Sequence, residues 1–223
     1  MANLYGPRIV TDGLVLHLDA GNRKSYPGSG TTWYDISGST GSNFTLNGSL
    51  VHNNFYFDGI NDSNYPRGSS YSHRTNDFTY SFWIMWDAQT NLATLVENGS
   101  WTDTILVRYQ TSAVAAVQGI AVYAEGALRG THAFTPSNNA WYNIVIERDS
   151  SISKFYLNGI YQNQFSFTTD INLSNANMFI GRSQHTTNQF VNGKLSIFQM
   201  YTKSLSANEV QQNYNALKGR FGL

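Results

Sequence analysis

Phe78-Thr-Tyr-Ser-Phe-Trp-Ile-Met-Trp-Asp87 is the stretch that decides the fold. Phe78, Tyr80, Phe82, Ile84 and Trp86 fall on one face of an extended chain, and Thr79, Ser81, Trp83, Met85 and Asp87 on the other. A period of two is that of a β-strand, where successive side chains point to opposite faces. One face is wholly apolar and the other carries Trp83 and Met85, so this strand is expected to have apolar neighbours on both sides. Working outward, Leu14, Leu16 and Leu18 alternate with Val15, His17 and Asp19. Tyr142, Ile144, Ile146 and Arg148 alternate with Trp141, Asn143, Val145 and Glu147. Similar short runs lie at 54–58, 93–97, 104–110, 119–123, 178–182 and 194–201. Many short strands broken by Gly, Asn and Ser clusters, with no regular alternation of helix and strand, predict an all-β sandwich or barrel.

Local signals refine this. In Ile152-Ser-Lys-Phe-Tyr-Leu-Asn-Gly-Ile-Tyr-Gln-Asn-Gln-Phe165, both Asn158 and Gly159 tolerate the positive φ that a two-residue type I′ hairpin requires. Asn192-Gly193 and Asn98-Gly99 are weaker versions of the same signal. Near the end, Ser206 with Glu209 three residues on forms a capping box, and Leu205 and Val210 are placed as its hydrophobic staple. Val210, Tyr214 and Leu217 then mark one helical face, and Gly219 is the expected stop.

The chain has 223 residues, with 14 Lys and Arg against 14 Asp and Glu. Charged residues make up 13% of it, about half the roughly 25% usual in soluble proteins. A net charge of zero gives no electrostatic footprint for phosphate backbones, which argues against nucleic acid as a partner. Aromatic residues at 14% argue against disorder. The absence of Cys excludes disulfides, thiolate metal sites and cysteine nucleophiles. The N-terminus lacks the basic start and apolar run of a signal peptide, and no run is long enough to cross a membrane as a helix. Synthesis in a cytoplasm and no membrane insertion are the corresponding expectations.

Several segments together resemble a known family. Thr11-Asp-Gly-Leu-Val-Leu-His-Leu-Asp-Ala-Gly-Asn22, Phe55-Tyr-Phe-Asp-Gly-Ile-Asn-Asp62 and Phe78–Trp86 are similar, in that order, to the early strands of LamG-like jelly-roll domains. These domains belong to the concanavalin A-like lectin/glucanase superfamily. Trp141–Asp149 with Phe155-Tyr-Leu-Asn-Gly159 resembles their late hairpin, and Asn192–Tyr201 with Leu205–Val210 their closing strand and helix. The resemblance implies an antiparallel two-sheet jelly-roll sandwich with a short C-terminal helix, in a single domain over 1–223 with its core at 12–217. Lys24–Gly38 and Asn213–Phe221 further resemble LamG-like modules in virion structural proteins of tailed, T4-like phages. That likeness implies a non-enzymatic virion surface protein, decorating a capsid or vertex or associated with a fibre. Its partners would be the major capsid protein or fibre subunits, and possible homo-oligomer contacts. A dedicated lectin-like receptor-binding module for host surface polysaccharide is the alternative, and a glycoside hydrolase a further one.

Hydrolysis of a glycosidic bond needs two suitably spaced carboxyls. The four Glu, at 97, 125, 147 and 209, do not form the Glu-x-Asp-x-x-Glu pattern of the β-glucanase branch. No catalytic residue is therefore assigned. For calcium, which relatives often hold at the sandwich edge, Asp58, Asn61 and Asp62 in a Gly-containing loop are candidate oxygen donors, with Asp19 and Asp35. The simpler reading of Asp58-Gly59 and Asn61-Asp62 is that they make turns through local Asx hydrogen bonds. Glycan recognition uses aromatic faces beside amides, hydroxyls and charges. Trp33, Tyr34, Tyr65, Tyr71, Trp101, Asp103, Arg182 and His185 are the loop candidates, against a background in which most aromatics belong to the core.

Overall fold

A computed structural model describes residues 7–39, 43–47, 55–58, 65–69, 71, 73–100, 103–113, 116–171, 177–183 and 189–223. Its strands are β1 (Leu14–Asp19), β2 (Thr32–Trp33), β3 (Phe44–Asn47), β4 (Phe55–Asp58), β5 (Tyr65–Ser69), β6 (Phe78–Trp86), β7 (Ala93–Ser100) and β8 (Asp103–Gln110). They continue as β9 (Gly119–Ala124), β10 (Ala127–Ala133), β11 (Trp141–Asp149), β12 (Ile152–Leu157), β13 (Ile160–Ser166), β14 (Asn177–Ile180) and β15 (Asn192–Tyr201). Helix α1 (Ala207–Leu217) and a 3₁₀ turn at Lys218–Phe221 close the chain.

Two antiparallel sheets result. The first runs β1-β15-β6-β11-β12-β13, with β4 also paired to β15; the second runs β10-β9-β8-β7-β14-β5-β3-β2. Leu16, Leu18, Phe82, Ile84, Trp86, Ile144, Ile146 and Phe198 from the first sheet meet Phe44, Ile105, Val107, Ile120, Val122 and Ile180 from the second in one core. This two-sheet sandwich with one short helix is the expected architecture, and it is consistent with a jelly roll.

Strand β6 is buried along its whole length, and the reason for its two apolar faces is now visible. Phe82, Ile84 and Trp86 enter the core between the sheets. Trp83 instead points outward, where Phe221 and Tyr214 stack on it at ring separations of 4.1 and 5.7 Å. The C-terminal segment thus caps the outer face of the first sheet. The capping box forms as expected: Ser206 accepts from the Glu209 N–H, and the Glu209 carboxylate accepts from the Ser206 N–H at 2.8 Å. Leu205 and Val210 share one cluster with Val145, Tyr156 and Tyr201. The α-helix ends at Leu217 with Lys218 as its C-cap, directly before Gly219, but Gly219 does not take the left-handed φ of a stop glycine. The chain tightens into the 3₁₀ turn and leaves it at Gly222, with φ 73°, because Phe221 must swing back to reach Trp83.

Asn158 and Gly159 take φ of 50° and 79°, as the hairpin requires, and Leu157 pairs with Ile160 across the turn. The other two Asn-Gly pairs lie inside strands. Asn98 turns into the core, where its amide donates to the Tyr80 hydroxyl at 3.0 Å and to the Tyr71 carbonyl at 2.8 Å. Gly193 sits where any Cβ would lie 2.0 Å from the Met85 carbonyl oxygen.

Candidate carbohydrate-binding face

The second sheet has an outer face, opposite the core, and its composition is unusual. In β8, Ile105, Val107 and Tyr109 enter the core, so Thr104, Leu106, Arg108 and Gln110 face outward. In β7 the register slips by one residue between Thr94 and Val96, a bulge. Without the extra residue, Thr94 and Glu97, three apart, would fall on opposite faces; the bulge puts both on the outer one. Cross-strand pairing then assembles two rows. Phe179, Glu97, Leu106, Tyr123 and Leu128 make one; Thr94, Arg108, Ala121 and Thr131 make the other.

Arg108 occupies the middle. Its guanidinium carbon lies 4.0 Å from the centroid of the Tyr123 ring, one row away on the diagonal. A cation over an aromatic face gains about 0.5–2 kcal/mol and is held flat against it. The Tyr123 hydroxyl lies 3.5 Å from Gln110 Oε1, and Gln110 Nε2 donates to Thr131 Oγ1 at 2.9 Å. Arg108 is only 7% exposed, and its Nε has no hydrogen-bond partner among the described residues. Glu97 is buried in the adjoining row and has a partner of its own. An aromatic ring, an amide, hydroxyls and a guanidinium, the group types that grip a sugar's C–H face and hydroxyl rim, are fixed on a rigid sheet. Thr94, Leu106, Gln110 and Ala121 are at most 1% exposed, and Tyr123 and Thr131 are half-buried at the accessible edge.

None of these residues was among the loop candidates. A signal for them did exist: the alternation of Thr104–Gln110 leaves a Thr/Leu/Arg/Gln set on one face. Nothing local says whether that face is open.

The expected glycan residues are dispersed. Trp33 is wholly buried in the core between the sheets and offers no platform, which corrects its assignment. It follows a Gly-rich loop in sequence, but β2 pairs with β3 and turns the indole inward. Tyr71 is also a packing residue, half-buried against the core, with its N–H donating to Asn98 Oδ1 at 3.0 Å. Tyr34 is 41% exposed, but it lies beside β2 at the far end of the second sheet from β9. Tyr65 opens β5 and Asp103 opens β8, so both are strand rather than loop positions. Arg182 lies where the chain continues past β14, its guanidinium 5.3 Å from the Phe190 ring centroid and its Nε donating to the Ser183 carbonyl. The same segment reaches β7, since Thr94 N donates to the Gln189 carbonyl. Trp101 and His185 lie outside the described residues.

Of the calcium candidates, the two whose side chains are described, Asp19 and Asp35, are each engaged elsewhere. Asp19 is gripped by Arg220 through two contacts of 2.6 and 2.9 Å, so its carboxylate is already neutralised. Asp35 accepts from the His17 N–H at 2.8 Å and from the N–H and hydroxyl of Ser37, closing an Asx-type turn onto β1. Asp58 ends β4, and Asn61 and Asp62 lie outside the described residues. Among the described residues, no three His, Asp or Glu side chains gather as a metal site.

The four Glu occupy different parts of the molecule. Glu209 caps α1, Glu125 sits in the β9–β10 turn, and Glu97 lies on the outer face just described. Glu147 is buried on the outer side of the first sheet, where Oε2 accepts from the Leu205 N–H at 3.1 Å. Burial pushes its carboxyl up to about 7, with Tyr156 and Lys154 pulling it back. It secures the entry to α1.

Residues 62–211 match the family described as the concanavalin A-like lectin/glucanases superfamily. The chain belongs to that superfamily. No curated protein matches it significantly by sequence. Among solved structures, it is similar to the binding domain of botulinum neurotoxin DC in complex with rat synaptotagmin II, with a TM-score of 0.71 and 13% identity over 93% of this chain and 52% of that one. Domain 4 of an extracellular arabinanase from Geobacillus stearothermophilus, in complex with arabinotriose, gives a TM-score of 0.65 at 16% identity, covering 90% of this chain and 98% of that domain. Trypanosoma rangeli sialidase in complex with sialic acid gives 0.64 at 12%, covering 92% of this chain but 33% of the sialidase. At such identities the likeness is one of fold: a lectin-like sandwich shared with proteins that bind sugars or a protein receptor.

Proposed function

We propose that this superfamily member is a non-enzymatic glycan-binding module that works on a phage virion surface and adheres to host polysaccharide through the outer face of its second sheet. The observation that carries the reading is the Arg108–Tyr123–Gln110–Thr131 array, a fixed set of sugar-recognising group types on the three adjacent strands β8, β9 and β10. The dispersed carboxylates favour binding without hydrolysis, since cleavage needs two of them across one bond. The phage setting rests on the likeness of Lys24–Gly38 and Asn213–Phe221 to virion modules.

A glycan array probed with the purified chain and with Tyr123→Ala tests this. Retention on a defined group of glycans, weakened about five- to 150-fold by loss of the ring, is expected from stacking worth ~1–3 kcal/mol. No retained glycan refutes the reading, and release of shortened oligosaccharides from a bound one refutes the non-enzymatic part. Attachment to a capsid or fibre protein is the second reading. It is favoured by edge strand β13, where Ile160 and Tyr161 are 63% and 45% exposed. Cross-linking mass spectrometry of the purified particle would find β13 in the contact.

A further inference from the structure

Two arginines are buried among the described residues, Arg108 and Arg148, and they are treated in opposite ways. Arg148 spends three of its five N–H groups on backbone carbonyls. Nε donates to the Ser150 carbonyl at 3.1 Å, and Nη1 to the carbonyls of Arg74 and Thr169 at 3.0 and 2.7 Å. Other cations are paired as well: Lys203 with Asp12 and Glu209, Lys154 with Asp149, and Arg220 with Asp19. Arg108 has only the ring of Tyr123 beneath it, and no carboxylate of the described residues forms an ion pair with it. An aromatic face attracts the charge but accepts none of the in-plane N–H bonds. A buried guanidinium with its N–H groups unspent is unfavourable, and the natural complement is a planar anion that accepts two of them side by side.

Resting on the carbohydrate reading above, we infer that this face selects sugars bearing a carboxylate, with Arg108 as the residue that reads it. The carboxylate lies in the plane of the guanidinium and takes two parallel N–H bonds. Gln110, buried beside Arg108, is bonded to Thr131 and Tyr123 and holds the surround of the guanidinium in place. Because the cation is presented flat and largely desolvated, the preference should survive moderate salt better than attraction to surface lysines does.

The test is calorimetric titration of the full chain with three acidic probes: tetragalacturonate, a hyaluronan tetrasaccharide and trisialic acid, each paired with its carboxyl-reduced form. For at least one probe, the wild-type chain should prefer the acidic form by about tenfold or more, as expected for hydrogen bonds between charged groups. Arg108→Gln should erase that preference, and Arg108→Lys should restore only part of it. Equal wild-type affinity for acidic and reduced forms overturns the inference and leaves the carbohydrate reading standing. No binding to any of the six sugars, nor to any on the array, overturns both. Should Arg108→Gln fail to fold, the Arg108 side-chain N–H resonances of the wild-type chain serve instead: they must shift with the acidic sugar and not with its reduced form, and unmoved resonances overturn the inference.

Discussion

Replacing Glu147 by Gln should stabilise the protein at neutral and alkaline pH and leave it unchanged in acid. Glu147 is fully buried; its Oε2 accepts from Leu205 N, and Oε1 has no hydrogen-bond partner among the described residues. Lys154 Nζ approaches only to 3.8 Å and is shared with Asp149. Desolvation therefore wins over the attractive contacts, and the carboxyl rises from its ordinary 4.5 to about 7. The sign follows from linkage. Below pH 4.5 the group is protonated in both folded and unfolded chains, and nothing is lost. Between 4.5 and about 7 the unfolded chain releases its proton while the folded one keeps it, so stability falls as pH rises; above about 7 the full cost is present. At about 1.4 kcal/mol per pH unit the interval amounts to about 3 kcal/mol. Gln keeps an oxygen for Leu205 N and carries no charge to desolvate. It forfeits the attraction of Lys154 and the stronger hydrogen bonds that Tyr156 and Ser204 give the carboxylate, so a gain of about 1–3 kcal/mol at pH 8 is expected, shrinking to about zero at pH 4.5. Urea unfolding of both proteins from pH 4.5 to 8 reads the difference, and subtraction cancels every other titrating group. Equal slopes for the two proteins, or a less stable Glu147→Gln at pH 8, would refute the reasoning.

Two further outcomes can be checked in the same way. His73 is buried, its Nε2 2.6 Å from the Tyr80 hydroxyl, and burial drives the imidazole down to about 3; the stability it carries is complete above its ordinary 6.5 and drains away as pH falls toward 3. His73→Gln should accordingly be the less stable protein at pH 8 and lose less than wild type between pH 6.5 and 4, again by urea unfolding. Trp83→Ala should cost about 3–5 kcal/mol, since it opens a cavity beneath the stacked Tyr214 and Phe221. The loss should appear first as accelerated hydrogen exchange in α1, and unaltered protection there would mean that Trp83 is not what holds the helix down.

Much of the framework was legible because it is local. The two-faced period of Phe78–Trp86, the Asn158-Gly159 turn and the Ser206/Glu209 box each depend on residues within a few positions of one another. The register slips were not legible. A bulge at Thr94–Val96 requires knowing which strand lies alongside, yet it decides that Glu97 shares a face with Thr94 and Arg108. The glycan candidates show the same division. Trp33 reads as a loop aromatic from its Gly-rich neighbours, but pairing of β2 with β3 sends it into the core.

By itself, then, the sequence determined that the chain is all-β, that it ends in a capped helix, and that its central strand has apolar neighbours on both sides. These follow from periodicity and capping chemistry, which act over a turn or a strand. Only the tertiary structure decided which charges are spent and which are open. Asp19 is taken by Arg220, 201 positions away, and Arg148 by carbonyls of Arg74 and Thr169. Arg108 is left on the Tyr123 ring, its Nε without a hydrogen-bond partner among the described residues. A charge's partner is a matter of distance in space, and distance in space is what a list of residues does not contain.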